Sequence, residues 1–299
     1  MVVPVLHEAH RIAELVGHVR ALAAELPPAT VELVVADGAP EGDTLTALQT
    51  ARGKDARRAA VAMPGKDVTG TDLSVRAVAA PRGRARQMNA GAAVARGRVL
   101  LFLHADTRLP AGAFPAVLRA LGVSPHVAGD NDSDAAAAPV AAGSPPDAHG
   151  EAVIGRGESF VPRDGDRIPR AGAFALSIDA SGVWFRVVEA LANLRNRLTR
   201  TPYGDQAQFF QAGLFRAMGG YPDQPLMEDV EIMRRLRRQH YPGQPLTLLD
   251  LRAVTSARRW RDEGAVRCTL RNICLRLLYA LGVPAQILAR WYRARKGAS

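Results

Sequence analysis

The chain contains only two cysteines in 299 residues, Cys268 and Cys274. Both fall on one predicted helix, where the rise per residue separates them by about 9 Å along the axis. That separation is too large for a disulfide bond. Few cysteines without a bridge are typical of a reducing compartment, so we predict a cytoplasmic protein.

Long hydrophobic runs are also missing. No apolar stretch approaches the ~20 residues that a membrane-spanning helix needs. Residues 1–4 lack the charged start and the apolar core of a signal peptide. We therefore expect neither a membrane span nor an export signal, and any membrane contact would be peripheral, at the inner face.

Aromatic residues are scarce, at 5% of the chain, whereas Lys and Arg outnumber Asp and Glu by 39 to 29. The resulting net charge of +10 suits nucleic acid, an anionic membrane surface or a phosphate-bearing substrate. Few aromatics, and no recognition-helix, zinc-finger or RNA-recognition pattern, argue against nucleic acid. Charge alone does not choose between the other two partners.

Short apolar runs alternate with amphipathic segments along most of the chain. Residues 2–6 and 31–36 predict strands, with a helix over 10–26 between them. This order predicts an α/β fold with a mostly parallel central sheet flanked by helices. Further strands are predicted at 73–79, 99–103, 172–178, 207–210 and 246–251, and further helices at 44–62, 82–96, 183–198, 228–238 and 265–296.

One region interrupts this alternation. Residues from about 122 to 170 are rich in Ala, Gly, Pro, Ser and Asp and lack apolar periodicity, which is typical of a flexible insertion. We therefore predict one domain over 1–264 that carries this insertion. Residues 265–299 follow as basic amphipathic helices, which either rest on a membrane or pack against the domain.

The most informative stretch is 99–110, where five apolar residues lead into His104 and Asp106. In a continuing strand, alternation around Ala105 would point both side chains the same way. An imidazole and a carboxylate at the carboxyl edge of a sheet could hold a divalent cation, and His104 suits Mn²⁺ better than Mg²⁺. The alternative is a core histidine beside a turn-capping Asp106.

Three more polar clusters fall at strand ends or helix starts: Asp37, the arginines within 82–86, and Glu228 with Asp229. In a doubly wound sheet such positions converge on one crevice. A carboxylate at Asp37 suits a base or ribose, guanidinium groups suit phosphate, and a carboxylate at Asp229 suits proton acceptance. An ordinary turn, a solvated basic face and helix capping are the alternatives.

Taken in order, these motifs resemble those of the family 2 glycosyltransferases with the GT-A fold. The opening PVLHEA (4–9) and the segment VVADGAPEGDT (34–44) are similar to that family's P-x-x-N-E and V-V-D-G-S-x-D-G-T motifs. RQMNAG (86–91) is similar to R-x-x-N-x-G, and FLHAD (102–106) occupies the D-x-D position. Toward the end, GGY followed by ED (228–229) resembles G-G-F…E-D, and RW (259–260) resembles the end of Q-x-x-R-W.

The closest subgroup is the small bacterial type called rSAM/selenodomain-associated transferase 2. The chain resembles it in RGRA, QMN, FLHADT, YGDQ and LMEDVE. In that subgroup His also replaces the first Asp of D-x-D, so His104 is compatible with an active enzyme. His7 and the segment 39–41 depart from the broader family pattern.

The resemblance implies inverting transfer of a sugar from a nucleoside diphosphate sugar to an acceptor hydroxyl. Asp106 would hold a divalent cation, Mg²⁺ or Mn²⁺, and Asp229, with Glu228 beside it, would act as general base. The acceptor is not identified, and the basic C-terminal helices would suit a lipid-linked one. The residues that would contact the donor are Glu8, Asp37, Arg86, Asn89, His104, Arg259 and Trp260.

Two other functions compete with this one. A sugar-nucleotide pyrophosphorylase would share the fold class, but it would normally open with a Gly-rich loop that residues 4–8 lack. The second competitor is a GT-A-like protein without catalytic activity, whose positive charge serves to bind a membrane or nucleic acid.

Overall fold

Three parallel strands form the first sheet, in the order β1 (Val2–Val5), β2 (Glu32–Asp37) and β3 (Ser74–Ala79). The structure, a computed structural model, describes residues 1–27, 30–39, 42–50, 73–125, 169–240 and 246–294. Most of the predicted 122–170 insertion lies outside these residues, as does the predicted helix beyond residue 50. Residues 33–37 of β2 are all buried, which explains their uninterrupted apolar run up to Asp37.

A second, five-stranded sheet follows. In chain order its strands are β4 (Val99–Leu101), β5 (Thr107–Arg108), β6 (Ala171–Asp179), β7 (Phe209–Gln211) and β8 (Thr247–Ser256), and in space they lie in the order β4-β7-β6-β8-β5. The pair β6–β8 is parallel and the other three pairs are antiparallel. A parallel bridge between Val2 and Phe102 joins the two sheets. The predicted α/β architecture is confirmed, with antiparallel pairs in its second half.

Helices flank both sheets. They are α1 (Ile12–Ala23), α2 (43–50), α3 (Arg84–Val94), α4 (Ala113–Ala120), α5 (Val183–Thr199), α6 (Ala212–Ala217), α7 (Glu228–Arg235), α8 (Arg258–Glu263), α9 (Ala265–Ala280) and α10 (Ala285–Ala294). A π-helical turn, Leu236–His240, extends α7. Helix α3 approaches the first sheet closely, because a Cβ on Gly91 would clash with the side chain of Val2.

Helices α5, α9 and α10 differ from the other helices in the large hydrophobic side chains that they expose. Every large hydrophobic side chain that is exposed in the described residues lies on α5, α9 or α10 or at the end of α9. We call two of these sets the apolar rows. The α5 row is Val183, Trp184, Val187, Leu191, Leu194 and Leu198, and the α9 row is Val266, Leu270, Ile273, Leu277 and Leu281. Within the described part of the chain, no helix combines the length and the apolar character that crossing a bilayer requires.

Candidate active site

Asp229 lies in the first turn of α7 and is 9% exposed. Its Oδ2 accepts a hydrogen bond from the backbone N–H of Gly204 at 2.7 Å, and its Oδ1 accepts one from Val230 at 2.8 Å. Met227, just before the helix, has φ 63°, a left-handed conformation that costs about 1 kcal/mol or more for such a residue. The chain therefore accepts local strain where it presents this carboxylate.

Glu228 is almost fully buried and forms an ion pair with Arg84 on α3. Burial raises the pKa of Glu228, the Arg84 guanidinium opposes this shift, and Asp229 adds to it. Burial lowers the pKa of Arg84, but Glu228 and Asp229 outweigh it and the pKa is raised overall. Arg84 thus stays charged beside the two carboxylates. It belongs to the predicted basic turn, although it was not among the predicted site residues.

His104 and Asp106 lie in a turn, because β4 ends at Leu101 and Phe102 forms only a bridge. The expectation that strand alternation points both side chains the same way is therefore wrong. A Cβ on Gly204 would lie 3.1 Å from His104 Nε2 and 3.3 Å from Asp229 Oδ2. Because Gly204 has no side chain, His104 and Asp229 both reach the same small space.

Burial, together with the charges of Arg84 and Arg259, lowers the pKa of His104 to about 3. Its imidazole is therefore neutral at physiological pH, and a neutral ring nitrogen can hold a metal ion or a hydrogen bond.

Asp106 is half-buried, and its carboxylate forms no hydrogen bond or ion pair with any described residue. Its backbone carbonyl accepts a hydrogen bond from Ser256 at 3.1 Å. Among the described residues, no group of three His, Cys, Asp or Glu side chains converges as a metal site would. A divalent cation here would be held by Asp106, with His104 nearby in sequence, and would need oxygen ligands from a bound substrate.

Asp37 ends β2 and is buried. Its Oδ1 accepts a hydrogen bond from Ala39 at 2.9 Å, whereas its Oδ2 has no partner among the described residues. A buried carboxylate oxygen without a donor is uncommon and suits a ligand N–H or O–H. Glu8, the other predicted nucleotide contact, pairs with Arg11 at 3.1 Å and lies 3.8 Å from Arg258.

Arg86 and Asn89, both predicted to contact the donor, connect α3 to the loop that leads into α7. Arg86 forms a bidentate pair with Asp223, at 2.8 and 2.9 Å, on the exposed surface. Asn89 donates a hydrogen bond to the carbonyl of Tyr221 at 2.8 Å and accepts one from its N–H at 2.9 Å. Their structural contribution is to fix this loop, and their contact with a donor stays a prediction.

Arg259 and Trp260 lie on α8. The Arg259 side chain is exposed and forms no hydrogen bond or ion pair within the described chain, yet its charge reaches His104. Trp260 packs edge-on against Phe185, with ring centroids 6.4 Å apart. Its Nε1 is buried without an acceptor among the described residues.

A further group of residues interacts with Asp229 and was not predicted as part of the site. Burial and the charge of Asp229 raise the pKa of Asp205 to about 6, although nearby arginines oppose the shift. Cζ of Arg195 on α5 lies 3.5 Å from the centroid of the Tyr203 ring, and Cζ of Arg276 on α9 lies 5.6 Å from it. We call Arg195, Tyr203 and Arg276 the arginine–tyrosine cluster. The YGDQ segment at 203–206 was the only sequence signal for it.

Comparisons with known proteins bear on the family and on the fold. Residues 1–134 match the family model described as Glycosyl transferase family 2. The search of curated proteins found no match to the chain.

Among solved structures, TarS 1–349 from S. aureus superposes with a TM-score of 0.52 at 12% identity, over 86% of this chain and 59% of that one. Glucosyl-3-phosphoglycerate synthase from Mycobacterium tuberculosis, in complex with Mn²⁺, UDP-glucose and phosphoglyceric acid, superposes with a TM-score of 0.51 at 14% identity. The superposition covers 95% of this chain and 79% of that one. The chain thus spans less than two thirds of the TarS structure. At these identities the likeness shows the fold alone. This chain has the GT-A glycosyltransferase fold, and its residues 1–134 carry the sequence pattern of glycosyl transferase family 2.

Proposed function

We propose that this chain is an inverting glycosyltransferase that moves a sugar from a nucleoside diphosphate sugar to an acceptor hydroxyl. The observation that carries the proposal is the buried Asp229 carboxylate, held by two backbone N–H groups beside His104 and the Arg84–Glu228 pair. The S. aureus TarS structure with UDP-GlcNAc, at a TM-score of 0.50 and 12% identity, supports a nucleotide sugar as donor.

Asp229 acts as the general base in this proposal. It takes the proton from the acceptor hydroxyl while that oxygen forms a bond to the anomeric carbon and the bond to the diphosphate oxygen breaks. The positive end of α7 stabilises the ionised carboxylate, and the fixed N–H donors hold it in one orientation. Attack from the face opposite the leaving group inverts the anomeric centre.

The donor lies between the ends of the two sheets. Asp37, whose Oδ2 has no partner in the part of the chain that the structure describes, and Glu8 contact the nucleotide. Arg86 and Arg259 offer positive charge to the diphosphate, and Asn89 and Trp260 complete the surrounding wall. These assignments rest on the family resemblance and on the position of Asp37 at a strand end.

Asp106 fits a divalent cation because its carboxylate is free of partners within the described residues. A Mg²⁺ or Mn²⁺ ion held by Asp106 would supply positive charge to offset the negative charge of the leaving diphosphate. His104 is neutral and lies two residues away, and an imidazole nitrogen favours Mn²⁺ over Mg²⁺. The Mn²⁺ in the Mycobacterium tuberculosis synthase structure supports this choice.

The C-terminal helices, residues 265–299, form a separate basic unit beside the 1–264 domain in this proposal. The exposed α9 row supports peripheral membrane contact at the cytoplasmic face, because an amphipathic helix with an arginine-rich side binds anionic lipid surfaces. A lipid-linked acceptor is compatible with that contact.

The test is the Asp229→Asn variant, assayed for nucleotide release from a panel of UDP- and GDP-sugars with Mn²⁺. Loss of a general base typically costs ~10²–10⁴-fold, so turnover should fall by that factor while nucleotide binding is unchanged. Asp250→Asn, at an exposed carboxylate on β8, is the matched control. If Asp229→Asn kept most of its turnover, the assignment of the base would be wrong.

A second arm tests the donor site. Titration of the folded protein with UDP and GDP should show Mn²⁺-dependent binding that Asp106→Ala abolishes. No binding of either nucleotide would favour the non-catalytic alternative instead.

A further inference from the structure

Two arginines from different helices meet around one aromatic ring beside Asp229. Arg195 stacks on Tyr203 at 3.5 Å, and Arg276 lies 5.6 Å from the same ring centroid. Neither guanidinium forms an ion pair with a carboxylate within the described residues. Arg195 Nη2 donates a hydrogen bond to Asn196 at 2.8 Å, but its Nε is buried and unpaired there. The cluster therefore has hydrogen-bond donors to spare.

A further arginine, Arg237, interacts electrostatically with Arg276 of the arginine–tyrosine cluster. Burial, followed by the charges of Arg238 and Arg276, lowers the pKa of Arg237. Burial also lowers the pKa of Arg195, and Arg276 contributes to that shift. Like charges held together away from water raise the free energy of the empty site, and a bound anion would lower it again.

Two carboxylates face the cluster as well, Asp205 and Asp229, and both favour the charged form of Arg195. Asp229 is already engaged by backbone N–H groups. In the proposed function Asp229 faces the reacting hydroxyl, so the neighbouring guanidinium groups would face another part of the same acceptor molecule.

The arginines of the arginine–tyrosine cluster are not the arginines that lie near His104. Arg195 and Arg276 lie at the Tyr203 ring, whereas Arg84 is paired with Glu228 on α7. Asp205 interacts with both sets, because its pKa responds to Arg195 as well as to Arg84 and Arg259. With the donor diphosphate near Asp106, the Tyr203 side is left for the acceptor.

We propose that Arg195, Tyr203 and Arg276 bind a phosphate group of the acceptor, which is therefore a phosphate-bearing hydroxyl compound. This proposal rests on the proposed function for the position of the donor. A guanidinium fork binds phosphate oxygens in pairs, and stacking on Tyr203 holds the Arg195 fork in place. Helices α5 and α9 also carry the apolar rows, so the phosphate comes either from a lipid headgroup or from a soluble ester.

The experiment is calorimetric titration of the full chain with inorganic phosphate and with glycerol 3-phosphate. Each titration is done with and without a saturating amount of whichever nucleotide, UDP or GDP, the protein binds. We expect both anions to bind whether or not nucleotide is present. Arg195→Gln and Arg276→Gln should each weaken binding by about 10- to 100-fold, the factor for loss of a charge-assisted hydrogen bond.

Arg197→Gln is the control, since Arg197 lies on the same helix but is exposed and pairs with Asp250. It should change phosphate affinity by less than about twofold. Arg195→Lys keeps the charge but loses the fork, and it should give an intermediate affinity. Circular dichroism of each variant verifies folding.

Two results would overturn the proposal. One is equal phosphate affinity in the wild type, Arg195→Gln and Arg276→Gln. The other is competition between nucleotide and phosphate, which would make the cluster part of the donor site. The nucleotide-free titrations do not depend on the donor, and nucleotide binding and the Asp229→Asn assay fail separately if the proposed function is wrong.

A further arm distinguishes the two sources of phosphate. Vesicles of phosphatidylcholine, with and without phosphatidic acid, are sedimented with the wild type and with Arg195→Gln. Phosphatidic acid-dependent sedimentation that Arg195→Gln reduces supports the cluster and names a lipid headgroup. Arg195-dependent binding of glycerol 3-phosphate without that sedimentation supports the cluster and names a soluble ester.

Discussion

Helices α1 and α5 have similar apolar spacing in the sequence but opposite surroundings in the structure. On α1 the large apolar side chains are at most 5% exposed, whereas those of the α5 row are 40–81% exposed. The helices that flank the first sheet likewise bury most of their large apolar side chains, whereas α5 and α9 expose many of theirs. Apolar periodicity thus reveals that a helix has an apolar face, but it does not show whether other parts of the chain bury that face. Among the described residues, the large hydrophobic side chains of the N-terminal half are covered by the chain itself, whereas α5 and α9 leave several of theirs exposed.

The strongest test of this contrast is Leu15→Ala on α1. Leu15 is 5% exposed, so its truncation should leave a cavity and lower the free energy of unfolding by about 2–5 kcal/mol. Urea denaturation measures the change. A loss under about 1 kcal/mol would mean that α1 is packed no better than α5, and the contrast between the two helices would be wrong.

The Asp205→Asn variant tests the C-terminal half through an expected gain in stability instead of a loss. Burial and Asp229 raise the pKa of Asp205 from 3.8 to about 6. A raised carboxyl pKa gives stability that is fully present below pH 4 and is lost as the pH rises through 6. The variant should therefore gain on the order of 2 kcal/mol at pH 8 and nothing at pH 4.

Denaturation of Asp205→Asn at both pH values provides the measurement, with Asp250→Asn as the exposed control. A gain that did not depend on pH would show that burial of the charge is not the cause.

The smallest effect is expected for Leu191→Gln in the α5 row. Leu191 is 60% exposed, so the free energy of unfolding should change by no more than about 0.5 kcal/mol. Sedimentation with anionic vesicles should nevertheless decrease, and Leu15→Ala should sediment like the wild type while it is folded. If Leu191→Gln were as destabilising as Leu15→Ala, the row would be covered within the chain itself.

The sequence predicted the parallel half of the fold well, because each element there is set by local pattern. Strands β1, β2 and β3 and helix α3 lie within two residues of their predicted bounds. The two-residue strand β5 and the six-residue helices α6 and α8 were missed, since so few residues show no periodicity. The β8 strand continues to Ser256, five residues past its predicted end, through pairing with β6 that no local pattern encodes.

The candidate site divides in the same way. Asp229, Glu228 and Asp37 could be singled out as candidates because carboxylates after strands or at helix starts are visible in the sequence. Arg195 and Arg276 were not, since they meet at Tyr203 only after α5 and α9 have packed. The catalytic, metal-binding and donor-binding roles of all the predicted site residues stay predictions.

The bridge between Val2 and Phe102 has a mechanical consequence. With the hydrogen bond from Leu103 to Val2 at 3.0 Å, it joins the sheet that ends in Asp37 to the sheet that precedes Asp106. A nucleotide sugar that contacts both carboxylates would span this junction and act as a clamp across it. Ligand binding of this kind adds to the free energy of unfolding in proportion to the logarithm of ligand concentration. The two halves should therefore unfold more cooperatively when the donor is bound than when it is absent.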